Sequence, residues 1–454
     1  VRFITKRLLL SASLVSLAGC ASAGGSTPAG VPGTVAGTSL ARAARSPQIP
    51  PNTIKHVIII LQENRSTDNL FHGLPGADTA NSGYDSHGNQ IPLVPIHLAQ
   101  NFDQSHLHQA FLNAYNNGQM NGANLNKPQC VGGKHCGSIP PNANYSYVPR
   151  SDVAEYFSLA EEFTFGDEMF QTNQGQSYPA HQFIIAGTSA PSTGSNLFVA
   201  DNPIAGTAGC TAPRNSLVPE IDPAGHENQT TYPCFEHATL MDELDAQNLT
   251  WKYYANSGYS IWNAPNSIQH IRLGPDWNND VVPETRILQD IRNGNLANVS
   301  WVNPNANDSD HPGINDGSGP SWVASIVNAI GQSADWRDTA VFVTWDDWGG
   351  WYDHVAPSVI NSYEYGLRVP LIVASPYAKN GYVSHVTHDF GSILKFTEEA
   401  FGLPSLGYAD SLADDLSDCF DFGAKARKFR PIPSRHDADW FINHRAPTAP
   451  IEDD

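Results

Sequence analysis

The sequence predicts an α/β fold: a central, largely parallel sheet covered by helices on both faces, with long loop or cap insertions. Three observations carry that expectation. The runs His56–Leu61, Ala340–Trp345 and Val369–Ser375 are apolar almost without alternation, the pattern of strands buried on both faces. Helix-like stretches at Trp322–Gln332 and Ser392–Phe401 give the mixture of elements of an α/β chain. The 454 residues, 40% hydrophobic and 15% charged, supply a large core and exclude a disordered or collagenous chain.

At the N-terminus, Arg2, Lys6 and Arg7 flank an apolar run, Leu8 to Leu17, that is too short to span a bilayer. It ends in Leu17-Ala18-Gly19-Cys20, which resembles a bacterial lipobox. Residues 1–19 are therefore expected to be a lipoprotein signal peptide and Cys20 the lipidated residue, anchoring an exported protein to the periplasmic or outer-surface side of a membrane. A non-lipidated secretory peptide cleaved near Ala21-Ser22-Ala23 is the alternative. Residues 20–50, rich in Ala, Gly, Ser, Thr and Pro, have the composition of a flexible tether. With no internal repeat or second long Gly/Ser linker beyond it, residues 51–454 are expected to form a single catalytic domain.

Five further cysteines follow. In an oxidising compartment Cys130 with Cys136, and Cys210 with Cys234, are the natural disulfides, leaving Cys419 over. Zinc held around Cys130, His135 and Cys136 competes with the first pairing, although the spacing fits no common zinc module. Segments 75–150 and 190–320, rich in Asn, Gly and Pro, are expected to be long loops or a cap. The 45 acidic against 25 basic residues leave a net charge of -20, which excludes a nucleic-acid backbone as partner and requires locally placed positive charge, a metal for example, for any anionic substrate.

The chemistry lies at strand ends. The first strand runs into Gln62-Glu63-Asn64-Arg65-Ser66 and the second into Asp346-Asp347-Trp348-Gly349-Gly350, with His354 close behind. Carboxyl ends of strands are where open α/β sheets bind ligands, and carboxylate and amide oxygens suit a hard divalent cation. The bland alternative for either motif alone is a solvated loop or a helix cap. Ser177-Tyr178-Pro179 reads as a helix start with Ser177 at the N-cap and Gly187 as its end. A serine there would sit in the positive end of the helix dipole. His106, His311 and His354 are candidates to donate to a phosphoryl oxygen or to act as general acid.

These residues resemble a known family. Lys55 to Ser66 and Thr344 to Val355 are similar to motifs of the bacterial phosphoesterase family that includes non-haemolytic phospholipases C and acid phosphatase A type enzymes. The resemblance continues through Ser309-Asp310-His311-Pro312, Gly319 to Ile330 and Arg368 to Tyr377, and ends near Phe401 to Pro404. It implies an alkaline-phosphatase-like core and hydrolysis of phosphoric esters through a hydroxyl nucleophile. By the family pattern Glu63, Asn64, Asp346 and Asp347 would hold one or more divalent metal ions (Ca, Mg, Mn or Zn). Ser177 would be the nucleophile, Thr172 a minor alternative, and His106, His311 and His354 would bind phosphate or assist the leaving group. The chain departs from the pattern at Ala180-His181, where many members carry Asn-Arg, and at Trp348, where many carry His.

The implied substrate is a phosphoester. A phospholipid diester, cleaved as by a phospholipase C, requires apolar surface for acyl chains. Trp345, Trp348, Trp351 and Tyr352 would supply it unless they are packed in the core. An acid phosphatase acting on small phosphomonoesters requires only a phosphoryl pocket. A lipoprotein that captures phosphorylated ligands without turnover is the alternative of another class.

Overall fold

The computed structural model describes residues 49–130, 136, 138–255 and 260–443. The expected signal peptide, Cys20 and nearly all of the tether lie outside these residues. An eight-stranded sheet forms the centre, built from β1 (His56–Gln62), β2 (Thr164–Gly166), β3 (Trp251–Tyr254), β4 (Val281–Val282), β5 (Val299–Val302), β6 (Thr339–Trp345), β7 (Leu371–Ala374) and β8 (Tyr382–Ser384). Its spatial order is β4-β3-β5-β1-β6-β7-β2-β8. Five pairings are parallel. The two that flank β7 are antiparallel, so the third predicted strand runs against the others.

Every residue of β6 and β7, and all of β1 beyond His56, is buried. Successive side chains point to opposite faces, so both faces of these strands are covered. The helices pack in two groups. Ala154–Glu162 (α1), Arg286–Arg292 (α3) and Gly319–Gln332 (α4) form one; Ser177–Ala186 (α2) and Phe390–Phe401 (α5) form the other. The two predicted helices are thus present, each starting a few residues earlier than expected.

Segment 190–320 is not only loop. It contributes β3, β4 and β5 to the main sheet, besides a small antiparallel sheet of Phe198–Val199, Val218–Ile221 and Gln229–Thr231. These strands escape a periodicity search because they are two to four residues long and sit among Asn- and Pro-rich neighbours. Cys130–Cys136 and Cys210–Cys234 are disulfides, and Cys419 is a free, buried cysteine.

Candidate active site

Three adjacent parallel strands, β5, β1 and β6, end at one edge of the sheet. Gln62 is opposite Trp345 in the register, so the next residues, Glu63-Asn64 and Asp346-Asp347, emerge side by side. The two chain ends are tied twice: Asp346 N donates to Gln62 O at 3.0 Å, and Asn64 N donates to Asp346 Oδ1 at 3.1 Å. Asn64 has φ +58°, a left-handed conformation that Asn tolerates better than most residues. It meets a Gly-Gly turn. A Cβ on Gly349 would lie 2.2 Å from Asn64 O, and Gly349 N donates to Asp347 Oδ1 at 2.7 Å. Glycine is required there for close approach, and that turn fixes Asp347.

Ser177 opens α2, with Gln176 at the N-cap, one residue earlier than the sequence suggests; Gly187, at φ +69°, ends the helix as expected. The Ser177 hydroxyl donates to Asp347 Oδ2 at 3.0 Å and lies 3.4 Å from the Asn64 carboxamide. His106 and His311 complete the cluster, each with Nε2 3.0 Å from that carboxamide. Their other nitrogens face backbone carbonyls, Gln104 O and Pro312 O, both at 2.8 Å. Trp348 packs edge-on to His106 and Trp262 stacks on His311. Ser177, Glu63, Asn64, Asp346, Asp347 and His311 are wholly buried. Burial, then the charge of Asp346, pushes the Asp347 carboxyl well above the ordinary carboxylate range.

The Asn64 carboxamide tests whether these residues fit a cation. Its neighbours on one side are the two imidazole Nε2 atoms; on the other they are Asp346 Oδ1 and Glu63 Oε2, each at 3.2 Å. In the absence of a cation the amide nitrogen is best turned towards the carboxylates. With each Nδ1–H committed to a carbonyl, however, a neutral imidazole offers a lone pair at Nε2 and wants the amide nitrogen. The oxygen then faces two carboxylates, which only a cation stabilises. This oxygen-rich donor set fits a divalent ion.

Three residues that sequence reasoning did not assign to positioning hold the loop carrying His311 through its neighbour Asp310. Arg65 donates through Nε and Nη2 to Asp310 O, while Tyr156 OH and Trp345 Nε1 donate to Asp310 Oδ2 at 2.8 and 3.0 Å. Burial raises the Asp310 carboxyl to about 6 and lowers Arg65 to about 10. His181, one turn into α2, lies 3.1 Å from Glu63 Oε1, and burial lowers its pKa to about 4. Its i+4 spacing from Ser177 is the signal that would have placed it on the site's side of the helix.

His354 is not brought to this cluster. Its partners are Asp68 at 2.7 Å and Asp78 at 3.2 Å, beside an Asp353–Arg368 ion pair. Trp345, Trp348, Trp351 and Tyr352 are all buried, because they pack against Tyr156, Phe111, Phe102 and Tyr145 respectively. They are core aromatics and present no apolar surface to solvent. Thr172 donates to Asp389 at 3.1 Å, away from Ser177.

Residues 54–404 match the model of the Phosphoesterase family. The chain is 25% identical to a non-hemolytic phospholipase C of Pseudomonas aeruginosa over 86% of its own length and 60% of the relative's. It is 24% identical to phospholipase C B of Mycobacterium tuberculosis, over 90% and 86% respectively. It thus spans less than two thirds of the Pseudomonas relative's length. Among solved structures, a protein in the alkaline phosphatase superfamily from Vibrio parahaemolyticus aligns with a TM-score of 0.38 and 10% identity, over 80% of this chain and 71% of that one.

Proposed function

Given that the chain belongs to the Phosphoesterase family, we propose that it is a metal-dependent phosphoric ester hydrolase with Ser177 as nucleophile, acting as a phospholipase C on phospholipid diesters. The observation that carries this reading is the convergence of Ser177 Oγ on Asp347 Oδ2, at 3.0 Å, beside Glu63, Asn64 and Asp346. Glu63, Asn64, Asp346 and Asp347 would hold the divalent ion. When bound, it lowers the pKa of the serine hydroxyl and neutralises phosphoryl charge.

The protein's own groups do the rest. Ser177 Oγ attacks phosphorus as its proton passes to Asp347 Oδ2, and the N-terminal end of α2 stabilises the negative charge that develops. The ester P–O bond breaks, and the leaving oxygen takes up that proton, relayed through the Nε2 lone pair of His106, 3.9 Å from Asp347 Oδ2, or of His311. Water then attacks phosphorus and the bond to Ser177 Oγ breaks; one proton of the water returns to Oγ through Asp347 Oδ2 and the hydroxyl stays on the released phosphoryl group. Burial strengthens each of these electrostatic interactions by excluding solvent.

A second reading, a phosphomonoesterase of the acid phosphatase kind, is favoured by one observation: the aromatics that would receive acyl chains are packed inside. A paired assay separates the two. Chelator-sensitive release of phosphocholine from phosphatidylcholine is the expected result; turnover of a chromogenic monoester alone would establish the phosphatase. No turnover of either with any divalent metal would overturn both and leave a binding protein for phosphorylated ligands. Export as a lipoprotein anchored through Cys20 belongs to the same proposal, and incorporation of labelled fatty acid that is lost in Cys20→Ala tests it.

A further inference from the structure

We propose that Glu63, His181 and Asp346 form a second metal position, so that the site takes two divalent ions sharing two carboxylates. The inference rests on the metal-dependent reading of the Ser177 cluster and deepens it. Each of the two carboxylates faces two ways. Glu63 Oε2 and Asp346 Oδ1 lie 3.2 Å from the Asn64 carboxamide. Their other oxygens turn to α2, with Glu63 Oε1 3.1 Å and Asp346 Oδ2 3.8 Å from His181 Nε2. One ligand atom from each of the three residues, all buried, falls within 4.8 Å of the others. Carboxylates that present one oxygen to each of two neighbouring positions are what a two-metal site requires.

Two further observations point to a ligand there. Asp346 Oδ2, a fully buried anionic oxygen, has no hydrogen-bond donor among the described residues. Leaving such an atom unsatisfied is costly, and a cation supplies the missing partner. Charge is consistent with this: no Lys or Arg among the described residues pairs with Asp346 or Asp347, whose charged neighbours within salt-bridge distance are histidines. The chemistry of the two positions differs. The first is all oxygen, whereas the second includes an imidazole nitrogen and so suits a borderline ion such as Zn²⁺.

The test is metal stoichiometry on the full chain. Metal-free protein is reloaded with Zn²⁺, desalted and measured by elemental analysis. The wild type is expected to retain two ions and His181→Gln one. Titration of the wild type with Co²⁺, followed by visible absorption, should show two steps, the second absent from the variant. Saturation of the wild type at one ion, or retention of two by His181→Gln, overturns the proposal. Should the variant not fold, the wild-type titration decides alone: a single step overturns it and two steps support it. One ion overturns only this inference, whereas no ion at all overturns the metal-dependent function beneath it.

Discussion

The carboxylates and histidines around Ser177 and those around His354 are neutralised in opposite ways. Around His354, Asp353 is paired with the Arg368 guanidinium at 2.8 Å, and Asp68 receives His354 Nδ1 at 2.7 Å and lies 3.7 Å from Arg368. Asp68 also accepts from the backbone N–H groups of Ala80 and His354. Every charge there has an internal counterpart. Around Ser177, Asp346 and Asp347 have no guanidinium or ammonium partner among the described residues, and one carboxylate oxygen has no donor. A cluster that carries its own cations is complete and holds the fold, whereas one without them is what the proposed cation site requires.

Substitutions sharpen the contrast. Ser177→Ala should lower phosphoester turnover by about three orders of magnitude or more, with a melting temperature close to wild type; activity assays with and without chelator would show it. Retained turnover would move the nucleophile elsewhere. Asp353→Asn, in the self-neutralised cluster, should instead cost about 3–5 kcal/mol of stability by stranding the buried Arg368, read from denaturant unfolding. The same exchange at the other cluster should have the opposite sign. Asp346→Asn relieves repulsion among buried carboxylates, so the metal-free protein should gain stability on the order of 1 kcal/mol. On the proposed reading, added divalent ion raises the melting temperature of the wild type, and Asp346→Asn should lose that rise. Equal destabilisation by both exchanges would erase the distinction.

The smallest effect is a pH dependence. Burial works against protonation of His354, but the hydrogen bond and charge of Asp68 outweigh it and raise the imidazole to about 9 from its ordinary 6.5. A raised histidine contributes stability that is fully present below about 6.5 and is lost as pH climbs through about 9. His354→Gln should therefore flatten the alkaline side of a plot of melting temperature against pH, and an unchanged slope would break the assignment of His354 to the ion-paired cluster.

Much of this was legible in the sequence, and the exceptions share a cause. β1 and β6 are seven-residue, largely apolar strands whose burial imposes a pattern on the chain, and the Glu63-Asn64 and Asp346-Asp347 pairs that follow them are placed at a sheet edge by the sequence alone. β3 and β5 are four residues long and depend on neighbours supplied from elsewhere in the chain, so no local pattern marks them. The same holds within the site. Glu63, Asn64, Asp346 and Asp347 follow strong strands, but the place of His354 depends on Asp68 and Arg368, and that of His181 on which face α2 turns to β1. Trp348 and Trp351 had two possible environments by composition, and only packing decided between them.

The hydrogen bond from Asn64 N to Asp346 Oδ1 joins residues 282 positions apart. Closing a chain segment of that length carries an entropic cost that must be met before the contact gives anything back, and such non-local pairings form slowly. The ligand set is therefore assembled only when β1 and β6 have paired, however early either strand takes shape. On the metal-dependent reading proposed above, uptake of the ion during refolding should lag behind the recovery of helical signal, which would make the ion a reporter of the finished sheet and a poor nucleus for building it.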